Sequence, residues 1–300
     1  MAGDVTGMID ETADEIRDMQ THSSSTVAVK AADALREVTD REFPTVDEYH
    51  RALEQNSRAL LRANASHASL HNTQREIVER VTDADVDSVT EAQELTREVV
   101  ADVIERVELG QERAAANAAE LLDDASTLLT HDYSTTVLSA IEQAVDQGGE
   151  FTVYVTESRP RFLGRRTARH LAAYDEIDVR LVVDSAAGHS LSAVDRVVVG
   201  MTCIVEQTLY NRIGTYPLAA TATDAGVPVS TIGSAAKIIE TGFQFENEHR
   251  VASEVMREPA VGFTVENPAY DATPVHLLDN IVTDSGVLDS DELAESNVQV

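Results

Sequence analysis

His131, Asp132 and Ser134 place the residue types of a hydrolase triad within four positions, in "HDYS". A triad needs one histidine that touches both partners at once, and its side chains usually come from separate loops. The crowding therefore argues against nucleophilic hydrolysis. Ser134 opens the segment "STTVLSAIEQAV", where its hydroxyl either caps free helix amides or shares them with a phosphate, and Thr135 beside it adds a second donor. Arg159 sits just before Pro160 in "ESRPRFLGRR", so its backbone is pushed to an extended form and Pro160 can occupy a first helical turn. Its guanidinium either reaches a phosphate or pairs with Glu157. Asn211 and Arg212 precede Gly214 and Thr215, so a tight turn presents a polar pair as it opens a helix; Arg212 either forks onto an anionic ligand or balances local acids. Cys203 follows Thr202 at a strand end with nothing beside it to activate a thiol, which predicts a small buried hydrophobe. As the single cysteine it forms neither an internal disulfide nor a Cys-x-x-Cys metal site. His67 and His71 have helical ligand spacing, but "HASLH" supplies no third ligand, so they are expected on a solvated face and no structural zinc is expected. No G-x-G-x-x-G follows a strand, which removes support for a dinucleotide site.

The elements that must hold these residues fall into two textures. Up to about Leu122, apolar residues recur at three- and four-residue intervals with almost no Gly or Pro, as in "VAVKAADALREV", which predicts a helical layer or bundle over 1–122. Thr45, followed by Asp47 and Glu48, has the pattern of a helix N-cap and capping box. Over 123–300 the short apolar runs "TLLT", "FTVYVT", "VRLVV", "RVVVG" and "PVSTI" alternate with helix-length segments. That alternation predicts an α/β, Rossmann-like domain whose parallel sheet is covered on both faces. Ligands in such sheets bind outside the carboxyl ends of the strands, which gathers "THDYS", "TESRP", "VDSAAG", "VGMTC" and "YNRIGT" around one crevice. The last segment, from "NPAYDATPVHLLDN" onward, has turn formers and then a pattern of short helices.

Charge narrows the partners. The chain carries 53 acidic against 23 basic side chains, a formal net charge of −30 spread through every segment, and only Lys30 and Lys237 are lysines. Self-repulsion on this scale weakens a compact state in dilute buffer and is screened in concentrated salt, which predicts a halophilic protein. Without a basic stripe, direct nucleic-acid binding is not expected. No stretch approaches the length of a membrane span, and "MAGDVTGMIDETADEIRDM" is acidic where a signal peptide would be basic and then apolar; the expected location is the cytoplasm.

Taken in order, "VTESRPRFLGRRTARHLAA", "VRLVVDSAAG", "VDRVVVG", "YNRIGTYPLAATATDAGVPV" and "ENPAYDATPVHLLDNIVTDSGVL" resemble the initiation factor 2B alpha/beta/delta family, which includes ribose-1,5-bisphosphate and methylthioribose-1-phosphate isomerases. The resemblance runs from about Leu129 to Leu288. It implies a helical N-terminal domain, a Rossmann-like C-terminal domain, a homodimer or larger oligomer, and no cofactor. The isomerase branch carries a cysteine in its Thr-His-Cys loop and an aspartate in its Gly-Ala-Asp loop. Here Asp132 stands at the cysteine's place and Thr202 at the aspartate's, and threonine does not ionise near neutral pH. The Arg-Gly-Ala turn of that branch corresponds to "MQTHSSSTVAVKAA", which has neither its arginine nor its glycine, and the Asn-Lys pair reads Asn211 and Arg212. The expectation from these departures is a non-catalytic regulatory protein of translation, with initiation factor 2 as a partner, that binds a phosphorylated metabolite through Ser134, Thr135, Arg159, Asn211 and Arg212. The alternative is an isomerase of ribose 1,5-bisphosphate that uses Asp132 in an altered mechanism.

Overall fold

In the computed structural model the described residues are 7–18, 24–63, 68–122, 125–239 and 243–289, and the chain divides into two compact units, Met1–Leu109 and Gly110–Val300. The first unit is helical: α1 (Gly7–Asp18), α2 (Ser24–Ala34), α3 (Val46–Ala63), α4 (Ala68–Thr82) and most of the long α5 (Val89–Leu122). The cap at Thr45 forms, with the Glu48 N–H donating to Thr45 Oγ1 at 3.2 Å. Tyr49, Leu53 and Leu60 recur on one face of α3 and are buried, and the Tyr49 hydroxyl donates to Thr96 Oγ1 on α5 at 2.6 Å. Of the histidine pair, His67 lies outside the described residues, as does the start of the Arg-Gly-Ala counterpart, 19–23.

The boundary expected after residue 122 coincides with the end of α5, whereas the compact units part within that helix. Ala115, Ala118, Ala119 and Leu122 pack in one cluster with Leu128 and Val153 of the second unit, so the last turns of α5 share its core.

The second unit contains β1 (Thr127–His131), α6 (Thr135–Asp146), β2 (Phe151–Thr156), α7 (Gly164–Leu171), β3 (Ile177–Val182), α8 (Ala187–Ser190), β4 (Arg196–Gly200), β5 (Cys203–Val205), β6 (Thr208–Arg212), α9 (Thr215–Ala225), β7 (Val229–Ile232), β8 (Ile238–Ile239), β9 (Tyr270–Pro274), β10 (Asn280–Thr283) and β11 (Gly286–Asp289). Seven strands form one sheet in the order β11-β10-β7-β4-β1-β2-β3, parallel throughout except for the β10–β11 edge hairpin. Successive side chains of a strand face opposite sides. Leu128 and Val198 accordingly join the cluster with α6, while Leu129, Val197 and Val199 join the cluster with α9. Both faces being covered explains why the centres of these strands are apolar at successive positions, Leu128–Leu129 in β1 and Val197–Val199 in β4.

Two features differ from the sequence expectation. A second sheet, β8-β5-β6-β9, is present, built around the β5–β6 hairpin that turns at Glu206 with φ 53°. Up to Asp289 the C-terminal segment forms β9, β10 and β11 where short helices were expected, and among its described residues Val275–Leu277 winds into a 3₁₀ turn; the rest of the segment, 290–300, lies outside the described residues. The Ile281–Val282 pair is too short a run to mark a strand in sequence, yet it pairs with Thr231 and Ile232 of β7 and so completes the sheet. No helix among the described residues is long and apolar enough to cross a membrane.

The helix expected from Pro160 begins four residues later, at Gly164, because the chain first makes a turn with Ser158 (φ 60°) and Phe162 (φ 59°) in the left-handed region. The Arg159–Pro160 peptide in this turn is cis. Gly164 lies so close to β2 that a Cβ there would sit 1.7 Å from the Thr156 carbonyl oxygen. Gly164→Ala is expected to cost roughly 3 kcal/mol or more, because backbone and not a pliable side chain must move. Urea unfolding measures this, and an unchanged midpoint would contradict such a close approach.

Candidate active site

The carboxyl end of β1 delivers His131 and then Asp132. His131 is buried, with Nε2 2.8 Å from the Ile213 carbonyl and Nδ1 2.6 Å from Thr156 Oγ1. A carbonyl only accepts, so Nε2 carries the proton and the ring locks the end of β1 to the loop after β6. Gly214, at φ 106°, permits this contact, since a Cβ there would lie 2.7 Å from the imidazole. His131 is thus a clamp, and the hydrolase constellation does not assemble.

Asp132 adopts φ 68°, a conformation uncommon for a residue with a side chain and one that clusters at functional sites. Its backbone is pinned on both sides: the N–H donates to Ser158 Oγ at 2.7 Å and the carbonyl accepts from Thr167 Oγ1 at 2.6 Å. The carboxylate is mostly enclosed, with Oδ2 3.3 Å from Nε of Arg212. Arg212 ends β6 with its guanidinium over the Tyr270 ring, 4.8 Å from the centroid. Burial opposes its charge, but Tyr270 and Asp132 more than offset this and hold its pKa above the usual arginine value.

Three further arginines line the same cavity, whose empty space, open to solvent, is about 320 Å³. Arg159 is placed by Asp184, whose carboxylate accepts from the backbone N–H groups of Ser158 and Arg159 at 2.7 Å each; its side chain donates to the Val255 carbonyl at 3.0 Å. Arg250 is clasped by Glu254 at 2.9 Å and Glu248 at 2.9 Å. Arg161 presents Nη1 shielded from solvent and without a hydrogen-bond partner. Asp132 is the carboxylate among the lining side chains, against four guanidiniums. Glu248 and Glu254 offset Arg250 from outside the lining, and in a chain of net charge −30 the remaining concentration of guanidiniums marks a place for an anion.

Of the residues singled out in sequence, the cavity brings together His131, Asp132, Arg159 and Arg212. Ser134 does not line it and caps α6, accepting from the Val137 N–H at 3.3 Å. Thr135 also lies off the lining and accepts from Gln111 Nε2 at 3.2 Å. Asn211 is buried, donating to Thr215 Oγ1 at 3.2 Å and accepting from Thr202 Oγ1 at 3.4 Å, so both Asn211 and Thr202 brace the turn before α9. Glu157 pairs with Arg165 at 2.7 Å and leaves Arg159 to the cavity. Cys203 is fully buried, and burial pushes its thiol pKa up to about 12, which makes it inert. Lys237 is buried as well; burial pulls its pKa down to about 8, and Nζ donates to the Met201 carbonyl at 3.0 Å. Among the described residues no group of three His, Cys, Asp or Glu side chains is placed to hold a metal. Sequence reasoning missed Arg161, Arg250 and Asn267. Arg161 carried a weak signal, as the second arginine of "SRPR"; Arg250 lies in an irregular segment that reaches the cavity through the pairing of His249 with Pro268 and the Arg250 N–H donating to the Asn267 carbonyl.

A model of the initiation factor 2 subunit family matches residues 20–290. The ribose 1,5-bisphosphate isomerase of Haloterrigena turkmenica is 33% identical over 94% of this chain and 90% of its own length, and that of Haloferax volcanii is 32% identical over 92% and 87%. Among solved structures, the tetrameric eIF2B-beta2-delta2 complex from C. thermophilum is similar in fold, with a TM-score of 0.80 at 20% identity over 94% of this chain and 92% of that one. These findings correct the expectation of a non-catalytic translation regulator. Relatives named as ribose 1,5-bisphosphate isomerases, a catalytic function, match at 30–33% identity over 92–94% of the chain, and the initiation factor 2 partner loses its basis with that expectation. The chain belongs to the initiation factor 2 subunit family.

Proposed function

We propose that the protein is a cytoplasmic sugar-phosphate isomerase that interconverts ribose 1,5-bisphosphate and ribulose 1,5-bisphosphate in the cavity around Asp132. The observation that carries this reading is a single enclosed carboxylate facing a guanidinium in a cavity that three further arginines line. Substrate and product are isomers, so no oxidant is required. As the furanose opens, a proton leaves C2 and one arrives at C1, while the proton of the C2 hydroxyl is lost and the former ring oxygen gains one. Asp132 takes the proton from C2 as a base and returns it at C1 as an acid. Arg212 stabilises the negative charge that develops on the C2 oxygen between these steps. The remaining arginines hold phosphate. Neither Thr202 nor Cys203 is asked to ionise.

The resemblance to oligomeric relatives supports a homodimer as the working unit, which light scattering in molar salt measures. The reaction is tested by incubating pure protein with ribose 1,5-bisphosphate in concentrated KCl and following the phosphorus resonances. Conversion to ribulose 1,5-bisphosphate at an ordinary turnover of about 1–10³ s⁻¹ is expected. A folded sample that yields no ribulose 1,5-bisphosphate would overturn the assignment.

A further inference from the structure

Thr96, Thr221 and Thr223 are helical threonines whose hydroxyls donate to the carbonyl four residues earlier in their own helix, at 2.8, 2.6 and 2.9 Å. That local bond is a common choice for a threonine inside a helix. Thr167 in α7 makes a different one. Its buried hydroxyl donates to the Asp132 carbonyl, 35 residues away in the chain, at 2.6 Å. Gly164 lets the start of α7 lie close against β2, where a Cβ would collide with the Thr156 carbonyl oxygen, and this seats the helix within reach of Asp132.

The bond falls on a residue that needs it. Asp132 carries the carboxylate of the cavity on a left-handed backbone, which a residue with a side chain keeps only where its surroundings over-determine it. On the other side, Ser158 Oγ accepts the Asp132 N–H at 2.7 Å, and Ser158 is itself set by Asp184, whose carboxylate accepts the Ser158 N–H at 2.7 Å. With its carbonyl released, Asp132 is free to relax to an extended or right-handed backbone, in which Cβ projects in another direction and the carboxylate leaves Arg212. We propose that Thr167, which does not line the cavity, is a positioning residue for the reaction: its hydroxyl holds the Asp132 peptide in the form that keeps the carboxylate beside Arg212. The consequence for turnover rests on the isomerase reading, whereas the consequence for the backbone is measured without turnover.

Thr167→Val, Thr167→Ala and Thr167→Ser, with Thr221→Val as a control for the loss of a helical hydroxyl, are made in the full-length protein, crystallised from concentrated KCl and assayed with ribose 1,5-bisphosphate. In Thr167→Val the Asp132 backbone is expected to leave the left-handed region and its carboxylate to move beyond about 4 Å from the Arg212 guanidinium. Its kcat falls about 10- to 100-fold, the scale of a displaced catalytic group. KM stays within about twofold, because the arginines that hold phosphate are untouched. Thr167→Ser keeps the donor and returns kcat to within about threefold of wild type, as does Thr221→Val. Thr167→Ala removes the hydroxyl without pressing a methyl group on the carbonyl, and it decides the matter where the valine variant does not fold. Asp132 still left-handed beside Arg212 in the variants without the hydroxyl, an unchanged kcat, an equal loss in Thr167→Ser, or a raised KM in place of a lowered kcat would each overturn the positioning role. A wild type that performs no isomerisation would sink the reaction assignment, and the crystal structures then decide by themselves whether Thr167 sets the Asp132 backbone.

Discussion

Asp132→Asn is expected to lower kcat for ribose 1,5-bisphosphate by about 10²- to 10⁴-fold, the usual contribution of a general acid–base group. The substitution isolates proton transfer. Asparagine has nearly the same shape as aspartate and is one of the few residues that tolerates the left-handed backbone found at position 132. The two hydrogen bonds that pin this residue use its backbone N–H and carbonyl, and both survive. Arg212 loses its ionic partner but keeps its place over the Tyr270 ring, and the arginines that hold phosphate are untouched, so substrate binding is kept. Steady-state kinetics beside a denaturation curve provide the check. A variant that turns over like wild type would show that the carboxylate does no proton work, and a variant that unfolds would show that the Asp132–Arg212 pair is needed for stability.

The second large effect concerns salt. With a net charge of −30, repulsion acts across the whole molecule when the Debye length is about 30 Å, at about 0.01 M salt, and only over neighbouring groups at about 1 M, where it is about 3 Å. The ion pairs of the first unit, such as Arg80 with Glu76 and Arg106 with Glu76, are mostly solvent-exposed, and exposed pairs contribute little each. They do not offset an excess of this size. Moving from molar to about 0.01 M KCl is expected to remove on the order of 5 kcal/mol of stability, comparable to the whole stability of a marginal domain. Urea unfolding at a series of KCl concentrations measures it; equal midpoints at both extremes would contradict the reading of the acidic surface.

How much of this was visible in the sequence depended on whether a feature left a local trace. Strands β1, β2, β4 and β7 were legible because a sheet covered on both faces demands apolar residues at successive positions, as "RVVVG" shows. The second sheet was not, because β5 and β8 are three and two residues long and pair across a long sequence separation, Ile204 with Ile238. Asp132, Arg159 and Arg212 could be picked out because each follows or ends a strand. Arg161 was hidden by the assumption that Pro160 starts a helix, where in fact left-handed Ser158 and Phe162 turn the chain and present it to the cavity. The functional expectation erred for a different reason. Two substituted positions, Asp132 and Thr202, were weighed against chemistry, although one carboxylate can take a proton and return it, and the resemblance to isomerases extends over nearly the whole chain.

The most direct measurement is a crystal structure of the protein in molar salt with ribulose 1,5-bisphosphate bound. The expected result has the Asp132 carboxylate about 3 Å from C1 or C2, near-attack distance for proton transfer, with Arg212 at the C2 oxygen and the other arginines of the cavity on phosphate. A sugar bound with both phosphates away from these arginines, or with its C1–C2 bond facing any other ionisable group, would contradict it.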